Sequence, residues 1–234
     1  MDPQRNQRAQ QAPQAGLAER AERAERDRKF ESLVQQAIEA MRADRNDEVR
    51  RLLQEAMATG PQSPIAPFLL ASHFAQQREY DRAEGLFIHT LNLAPDFLIA
   101  RFQLGLLQLT SARPAAAIAT WGPLELLDEG HTLRLFRDGL QAMAGDQFEQ
   151  AKALLRRGIE GNQENLPLNR DMQMVIEAIE ANQANEANEK EDASPPENGA
   201  VADGQPGTPD SSDDAGKLDR SGTMQYLLSR YRKQ

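Results

Sequence analysis

The sequence contains no cysteine, and this absence excludes both a disulfide framework and a thiolate metal site. Aromatic residues are scarce, at 5% of the 234 residues, but 39% of residues are hydrophobic, which is enough for a core in one or two domains. No stretch holds 18 consecutive apolar residues, so no membrane span is predicted. The first residues lack the apolar run of a secretory signal peptide, and we expect a cytoplasmic protein.

The net charge of −9 makes the chain a poor counterion for phosphate, so we expect no nucleic-acid partner. Catalytic motifs are missing too: there is no G-x-S-x-G, no phosphate-cradling glycine loop and no H-E-x-x-H. The histidines His73, His89 and His131 are scattered, and none has a histidine or cysteine four residues later. We interpret them as ordinary surface or interhelix residues rather than metal ligands. The sequence therefore predicts no enzymatic activity, no cofactor and no metal.

Helical periodicity dominates the middle of the chain. Apolar residues recur every three to four positions across residues 30–181, and no strand-like alternation interrupts them. Upstream, residues 17–29 (LAERAERAERDRK) favour a helix that has no apolar stripe and is solvated all round. The Gln-rich residues 1–16 are predicted to be disordered. Residues 1–29 are therefore predicted to form a partly disordered, partly helical polar arm.

The helical region repeats itself every 34 residues. Steps of that length from Phe87 lead to other bulky apolar residues, namely Leu53, Trp121 and Leu155. A pair of mostly small residues recurs in the same way, as Ala37/Val49, Ala71/Ala83, Gly105/Ala117 and Gly139/Ala151. Four units without an insertion are predicted, at residues 30–63, 64–97, 98–131 and 132–165.

This period and these residue types resemble the tetratricopeptide repeat (TPR). The resemblance implies an all-α fold, a right-handed α-solenoid of about four TPR-like helix pairs, in which the small residues let the two helices of a pair approach closely. The second unit matches the TPR pattern best, whereas the third has Arg101, Gln108 and Pro114 at typical core positions and the fourth has Asp138 at another. The Arg-rich and Ala-rich composition is typical of high-GC bacterial proteins, and we expect a bacterial source.

Two segments follow the last unit. Residues 166–181 are predicted to form a capping helix, whose apolar face consists of Met172, Val175, Ile176 and Ile179. Residues 182–216 are predicted to be a disordered acidic linker, because residues 184–216 hold nine Asp or Glu, one Lys and four prolines.

The TPR resemblance implies a concave groove lined by the first helix of each unit. The Lys and Asn with which TPR co-chaperones bind carboxylates are absent here, which favours a groove for an apolar peptide or an amphipathic helix. The groove candidates are Ile65, Phe68, Ile99, Phe102, Leu106, Leu109, Leu133, Phe136 and Leu140. Arg101 and Gln108 keep an alternative open, because rolled helices would place Phe102, Leu106 and Leu109 in the core between repeats.

Residues 217–234 have the pattern of a short basic amphipathic helix with a net charge of +4. Its apolar face consists of Met224, Leu227, Leu228 and Tyr231, while Arg230 and Arg232 suit the C-terminal end of a helix. Three roles remain open for this segment: docking in cis on the groove, presentation to another protein, or an inert or weakly membrane-associated helix.

The function predicted from these features is a non-enzymatic adaptor, scaffold or chaperone-like module that buries an apolar segment of a protein partner in its groove. The alternative is a structural or regulatory subunit of an enzyme or of an envelope or secretion machine, tethered through its C-terminal helix.

Overall fold

The computed structural model describes residues 3–163 and 165–192, and the side chains of residues 17–163 and 165–185. All regular structure in this part of the chain is helical. The helices are α1 Pro3–Arg42, α2 Asn46–Thr59, α3 Ile65–Gln76, α4 Tyr80–Leu93, α5 Leu98–Thr110, α6 Pro114–Trp121, α7 Thr132–Ala144, α8 Phe148–Gly161 and α9 Leu166–Asp192, with a 3-10 helix at Gly122–Leu126. The chain divides into two compact units, unit 1 at Met1–Leu107 and unit 2 at Gln108–Gln234, and the boundary falls inside α5.

Within each unit, consecutive helices pack against each other in pairs. In unit 1, α1 packs on α2, α3 packs on α4, and α2 also contacts α3. In unit 2, α7 packs on α8, and α9 covers the other side of α8. The predicted fold class, all-α with adjacent TPR-like helix pairs and one additional helix at the end, is therefore confirmed.

The turn inside each helix pair has the same geometry four times. Its central residue has a left-handed backbone, and these residues lie 34 positions apart: Asp44, Arg78, Ala112 and Asp146. At the first turn, Asp44 N donates to Met41 O and Arg45 N donates to Ala40 O, which is the Schellman pattern of hydrogen bonds at a helix C-terminus. The other three turns repeat both bonds. None of the four residues is glycine, although glycine is the residue that adopts this conformation most easily.

Replacing Ala112 by glycine is expected to stabilise the protein. Ala112 has a φ of 59°, and a left-handed backbone costs an L-residue about 1–2 kcal/mol. Glycine avoids this cost, but the greater conformational freedom of its unfolded chain offsets part of the gain. We expect Ala112→Gly to raise the free energy of unfolding by about 0.5–1 kcal/mol, measured by urea denaturation. The control Ala153→Gly, at an exposed position inside α8, should lower it by about 1 kcal/mol. Destabilisation by both changes would contradict the turn geometry.

The ends of the helical region differ from the sequence prediction. Helix α1 begins at Pro3 rather than near residue 17, and α9 continues to Asp192, beyond the predicted end of the cap at residue 181. Gln and Ala are frequent in the first extension, and Glu and Ala in the second, and these residues favour helix even without burial. The predicted segment 217–234, with Met224, Leu227, Leu228, Arg230, Tyr231 and Arg232, lies outside the described residues.

The exposed part of α1 forms an arm ahead of the first helix pair. Every side chain of residues 17–29 is exposed, and burial begins with Phe30 and Leu33. At the base of the arm, Lys29 Nζ lies 3.0 Å from a carboxylate oxygen of Glu55 in α2. The sequence prediction that this stretch is a helix solvated on all sides agrees with these positions.

Helix α6, which follows the turn after α5, is shorter than the helices at the equivalent repeat positions. Helices α2, α4 and α8 each span 14 residues, whereas α6 spans only eight. Pro114 occupies the first turn of α6, where its missing N–H has no intrahelical partner to lose. Gly122 and Pro123 then end the α-helix, because Pro123 cannot donate to the preceding turn, and the chain continues as the 3-10 helix.

Small residues hold the pairs together as predicted. Ala37, Ala71, Ala83 and Ala151 are fully buried. A Cβ atom added at Gly139 would lie 2.8 Å from Leu155 Cγ and 3.3 Å from the carbonyl oxygen of Ala151. Helices α7 and α8 therefore approach so closely at this level that only a hydrogen fits between them.

Candidate functional site

Four of the nine predicted groove residues lie in the core. Phe102, Phe136 and Leu140 are fully buried, and Leu109 is 4% exposed. Helix α7 is turned so that the ring of Phe136 lies over Gly158 of α8, with Phe136 Cε1 only 2.4 Å from the position of an added Cβ. A partner could contact these side chains only if the helices separated. The groove interpretation is corrected for these four residues, and the alternative of core packing describes them.

The other five groove candidates retain part of their surface. Ile65 is 39% exposed, and Phe68, Ile99, Leu106 and Leu133 are half-buried. Phe68 also supports the core of unit 1, because its ring lies 4.9 Å from the ring of Phe97 and 6.2 Å from that of Phe87. Leu133 belongs to unit 2, whereas the other four candidates lie on first helices of unit 1.

A hydrogen bond between Ser72 and Gln103 connects helix α3 to helix α5, the two helices that carry four of the groove candidates. Ser72 Oγ lies 2.9 Å from Gln103 Oε1 and 3.0 Å from the carbonyl oxygen of Phe68, so its single proton can serve either acceptor. Helical spacing places half-buried residues on the same sides of the two helices as this bond. We call this set the unit 1 face; it consists of Ile65, Phe68, Ser72 and Ala75 on α3 and Ile99, Gln103 and Leu106 on α5.

The unit 1 face has no ionisable side chain. Four of its seven residues are large and apolar, and the two polar ones, Ser72 and Gln103, contact each other. Such a surface can form apolar contacts and neutral hydrogen bonds with a ligand. It offers no general acid or base and no metal ligand. Chemically, the face is suited to binding rather than to catalysis.

Polar residues connect the first two helix pairs. Arg50 on α2 donates to Glu79 at 3.2 Å and to Asp47 at 2.6 Å, and Gln77 donates to Asn46 at 3.1 Å. These contacts fix the position of α3 and α4 against the first pair, although each exposed ion pair contributes little stability by itself. The sequence did not reveal them, because the partners lie about 30 positions apart in otherwise solvated helix faces.

His73 lies between the same helix pairs, in agreement with the predicted interhelix position. Its side chain is buried, and among the described residues its Nε2 atom has no hydrogen-bond partner. Burial lowers the pKa of His73, the positive charge of Arg50 lowers it further, and Glu79 and Asp44 act in the opposite direction. The ring is therefore neutral near pH 7.

Unit 2 contains a polar clamp that holds α9 on α8. Lys152 Nζ lies 2.7 Å from a carboxylate oxygen of Glu149 and donates to Gln183 Oε1 at 2.9 Å, while Gln183 Nε2 donates back to Glu149 at 3.1 Å. The hydrogen bond from Lys152, followed by that from Gln183, lowers the pKa of Glu149. Glu149 and Gln183 are 34 positions apart, which is one repeat length. A search of the sequence for polar residues at equivalent positions of successive repeats could therefore have predicted this contact.

Three asparagines shape the turn into α9. The amide of Asn162 donates to Asn165 O at 2.9 Å and to Asn169 Oδ1 at 2.7 Å, and Asn162 Oδ1 accepts from Asn165 N. Asn165 in turn caps α9 by accepting from Leu168 N at 3.2 Å. This network positions the predicted cap, whose apolar residues Met172, Val175, Ile176 and Ile179 are all buried against the rest of unit 2.

The other two histidines and the acidic side chains of the described part of the chain form no further candidate site. His131 caps α7 by accepting from Leu133 N at 3.2 Å, and His89 is exposed. Among residues 17–163 and 165–185, no group of three His, Cys, Asp or Glu side chains is arranged to hold a metal. The helices of this same part of the chain are all too short or too polar to cross a bilayer.

Comparisons with known proteins place the chain in no family. The sequence matches no known family and no curated protein. Among solved structures, it is similar to one described as the functional characterization of Pseudomonas aeruginosa pilF, with 14% identity, a TM-score of 0.37, and coverage of 71% of this chain and 87% of that chain. This similarity is too low to assign the fold. The packing of the helices in pairs identifies the chain as a TPR-like helical repeat protein.

Proposed function

We propose that the chain is a non-enzymatic protein-interaction module, an adaptor, scaffold or chaperone-like protein, that binds an apolar or amphipathic helical segment on the unit 1 face. The carrying observation is the composition of that face: large apolar side chains on two first helices, half-exposed, with no charged residue among them. Exposed apolar surface of this kind is typical of a binding site rather than of an inert surface.

The structure favours a helical ligand over an extended one. The face offers side-chain positions on two neighbouring helices but no sheet edge to which an extended peptide could add a strand. A ligand helix could place apolar residues at i, i+3 and i+7 against Ile65, Phe68 and Leu106. Phe68 is already held by Phe97, so binding would order few additional side chains and would lose little entropy.

Charge substitutions on the unit 1 face are expected to abolish ligand binding without unfolding the protein. Helical peptides would be selected on the full chain from a display library, and their affinities measured by fluorescence anisotropy. Ile65→Glu and Leu106→Glu should each weaken binding at least about tenfold, since 1.4 kcal/mol is less than the gain from burying one large apolar side chain. Far-UV circular dichroism should be unchanged, because both positions face solvent in part.

The matched control is Ile88→Glu. Ile88 is 45% exposed, similar to Ile65, but it lies on the second helix of the same pair, α4. It should bind the selected peptides with the affinity of the unmodified chain. Equal losses at Ile65 and Ile88, or selection of peptides whose binding ignores both Ile65→Glu and Leu106→Glu, would overturn the proposal.

A further inference from the structure

Three apolar residues of unit 2 are exposed in and after the shortened helix α6. Leu126, at the end of the 3-10 helix, is 89% exposed, and Ile118 on α6 is 52% exposed. Pro123 between them is also exposed. We call these three residues the 118–126 patch. At 89% exposure, the side chain of Leu126 is accessible to a ligand.

The patch is held rigidly from below. Trp121 and Leu124, on either side of Pro123, are buried, and they anchor the segment in unit 2. Arg134 of α7 donates to the carbonyl oxygen of Leu127 at 2.6 Å, which fixes the chain just beyond Leu126. A ligand would therefore meet a preformed surface rather than one that must be ordered on binding.

The charges around the patch are arranged by depth. Glu125 and Glu129 are largely exposed, and Asp128 is exposed as well. Two nearby cations lie deeper and pair with the rim: Arg137 is buried and contacts Glu125 at 3.3 Å, and Arg134 is three-quarters buried and lies 3.9 Å from Glu129, so Asp128 is the rim carboxylate that these two arginines leave uncompensated. The rim that a ligand would meet is consequently acidic, although the region as a whole contains charges of both signs.

The apolar residues and acidic rim of the 118–126 patch favour some ligands over others. A second copy of the chain, meeting its own patch across a two-fold axis, would bring the two acidic rims together, and an anionic membrane would be repelled in the same way. The complementary ligand has an apolar stripe and basic residues. Residues 217–234 have both, with Leu227, Leu228 and Tyr231 at helical spacing and a net charge of +4.

We propose that residues 217–234 dock in cis on the 118–126 patch, with their apolar stripe over Leu126 and Ile118 and their basic residues against Glu125, Asp128 and Glu129. The docking surface belongs to unit 2 and shares no residue with the unit 1 face, so the two proposals stand or fall separately. Helix α9 ends at Asp192. The 24 residues from there to residue 216 have the composition of a flexible linker, which would give an r.m.s. reach of about 27 Å.

Paramagnetic relaxation in the full chain tests this docking. The sequence has no cysteine, so Gln225→Cys introduces a single site for a nitroxide label beside the apolar stripe. In the 15N-labelled protein, we expect the amides of residues 118–134 to lose most of their intensity relative to the reduced label. Leu126→Asp should restore that intensity, whereas Ile88→Asp, on a similarly exposed isoleucine outside the patch, should leave the loss unchanged.

Two further measurements separate the alternatives. Raising the salt to about 1 M, where the Debye length is about 3 Å, should reduce the intensity loss, because the charge complementarity is then screened. A mixture of 15N-labelled chain without cysteine and unlabelled chain carrying the nitroxide should show no loss. The proposal is overturned by an intensity loss in the mixture, which would indicate docking in trans. A loss confined to amides of the unit 1 face, or none at residues 118–134, would overturn it as well.

Discussion

Phe136→Glu is expected to unfold much of unit 2. The ring of Phe136 is fully buried and lies directly over Gly158, so a carboxylate at this position would lose its contact with water. Removing a buried phenylalanine alone costs about 3–5 kcal/mol, which is a large part of the 5–15 kcal/mol that stabilises a typical domain. We expect Phe136→Ala to lower the free energy of unfolding by that amount in urea denaturation, and Phe136→Glu to lose a large share of the helical circular dichroism signal.

Leu166→Glu provides the matched control for this prediction. It introduces the same charge into the same unit, but at a side chain that is 65% exposed, and it should change the free energy of unfolding by no more than about 0.5 kcal/mol. Retention of full helicity and cooperative unfolding by Phe136→Glu would mean that the ring faces solvent, and the groove interpretation of this position would then be restored.

Gly158→Ala is expected to destabilise the protein, although helix propensity alone predicts the opposite. Inside α8, exchange of glycine for alanine would gain about 1 kcal/mol from the backbone. The added Cβ would, however, lie 2.4 Å from Phe136 Cε1 and 2.5 Å from Cδ1 of a ring that is buried on all sides. Overpacking of this kind costs about 1–3 kcal/mol. We therefore expect a net loss of up to about 2 kcal/mol in the free energy of unfolding, measured in urea.

Two additional variants make the sign of this result decisive. Gly85→Ala, inside α4, meets no atom within 4 Å and should stabilise the protein by about 1 kcal/mol. In the background of Phe136→Leu, whose shorter side chain vacates part of the space above Gly158, the cost of Gly158→Ala should shrink. A double-mutant cycle measures this coupling directly. Stabilisation by Gly158→Ala in the original background would contradict the close packing of α7 on α8.

The fold was predictable because period and residue size are local properties. The 34-residue spacing of small residues marked where two helices meet, and Gly139 indeed lies against Leu155 and the carbonyl of Ala151. The apolar face of α9 was equally readable, because Val175 and Ile179 stand among polar residues and only one face of the helix could be buried.

The rotation of α5 and α7 about their axes could not be derived in the same way. The apolar face of each helix is wide, so the pattern does not tell which of its residues contact the neighbouring helices and which line a groove. The choice depends on packing partners distant in sequence: Phe136 turns toward α8 because Gly158 leaves room for its ring. For the same reason, the candidate site is smaller than the sequence suggested, and it is confined to side chains that the core does not use.

The acidic rim of the 118–126 patch escaped sequence analysis for a different reason. In the sequence, the stretch that contains Glu125, Arg134 and Arg137 has charges of both signs. The sequence does not show which of these side chains are exposed and which are buried. The structure separates them by depth, with the arginines below and the carboxylates outside.

The exposed arm of α1, residues 17–29, has a length that follows from its helical geometry. Glutamate precedes arginine or lysine by four residues at Glu19–Arg23, Glu22–Arg26 and Glu25–Lys29, the order that stabilises an isolated helix. Thirteen helical residues rise about 20 Å, and Lys29 fixes the lower end to Glu55. Residues 17–29 therefore span a fixed length ahead of the first helix pair, and this stretch of helix should weaken as the ionic strength rises.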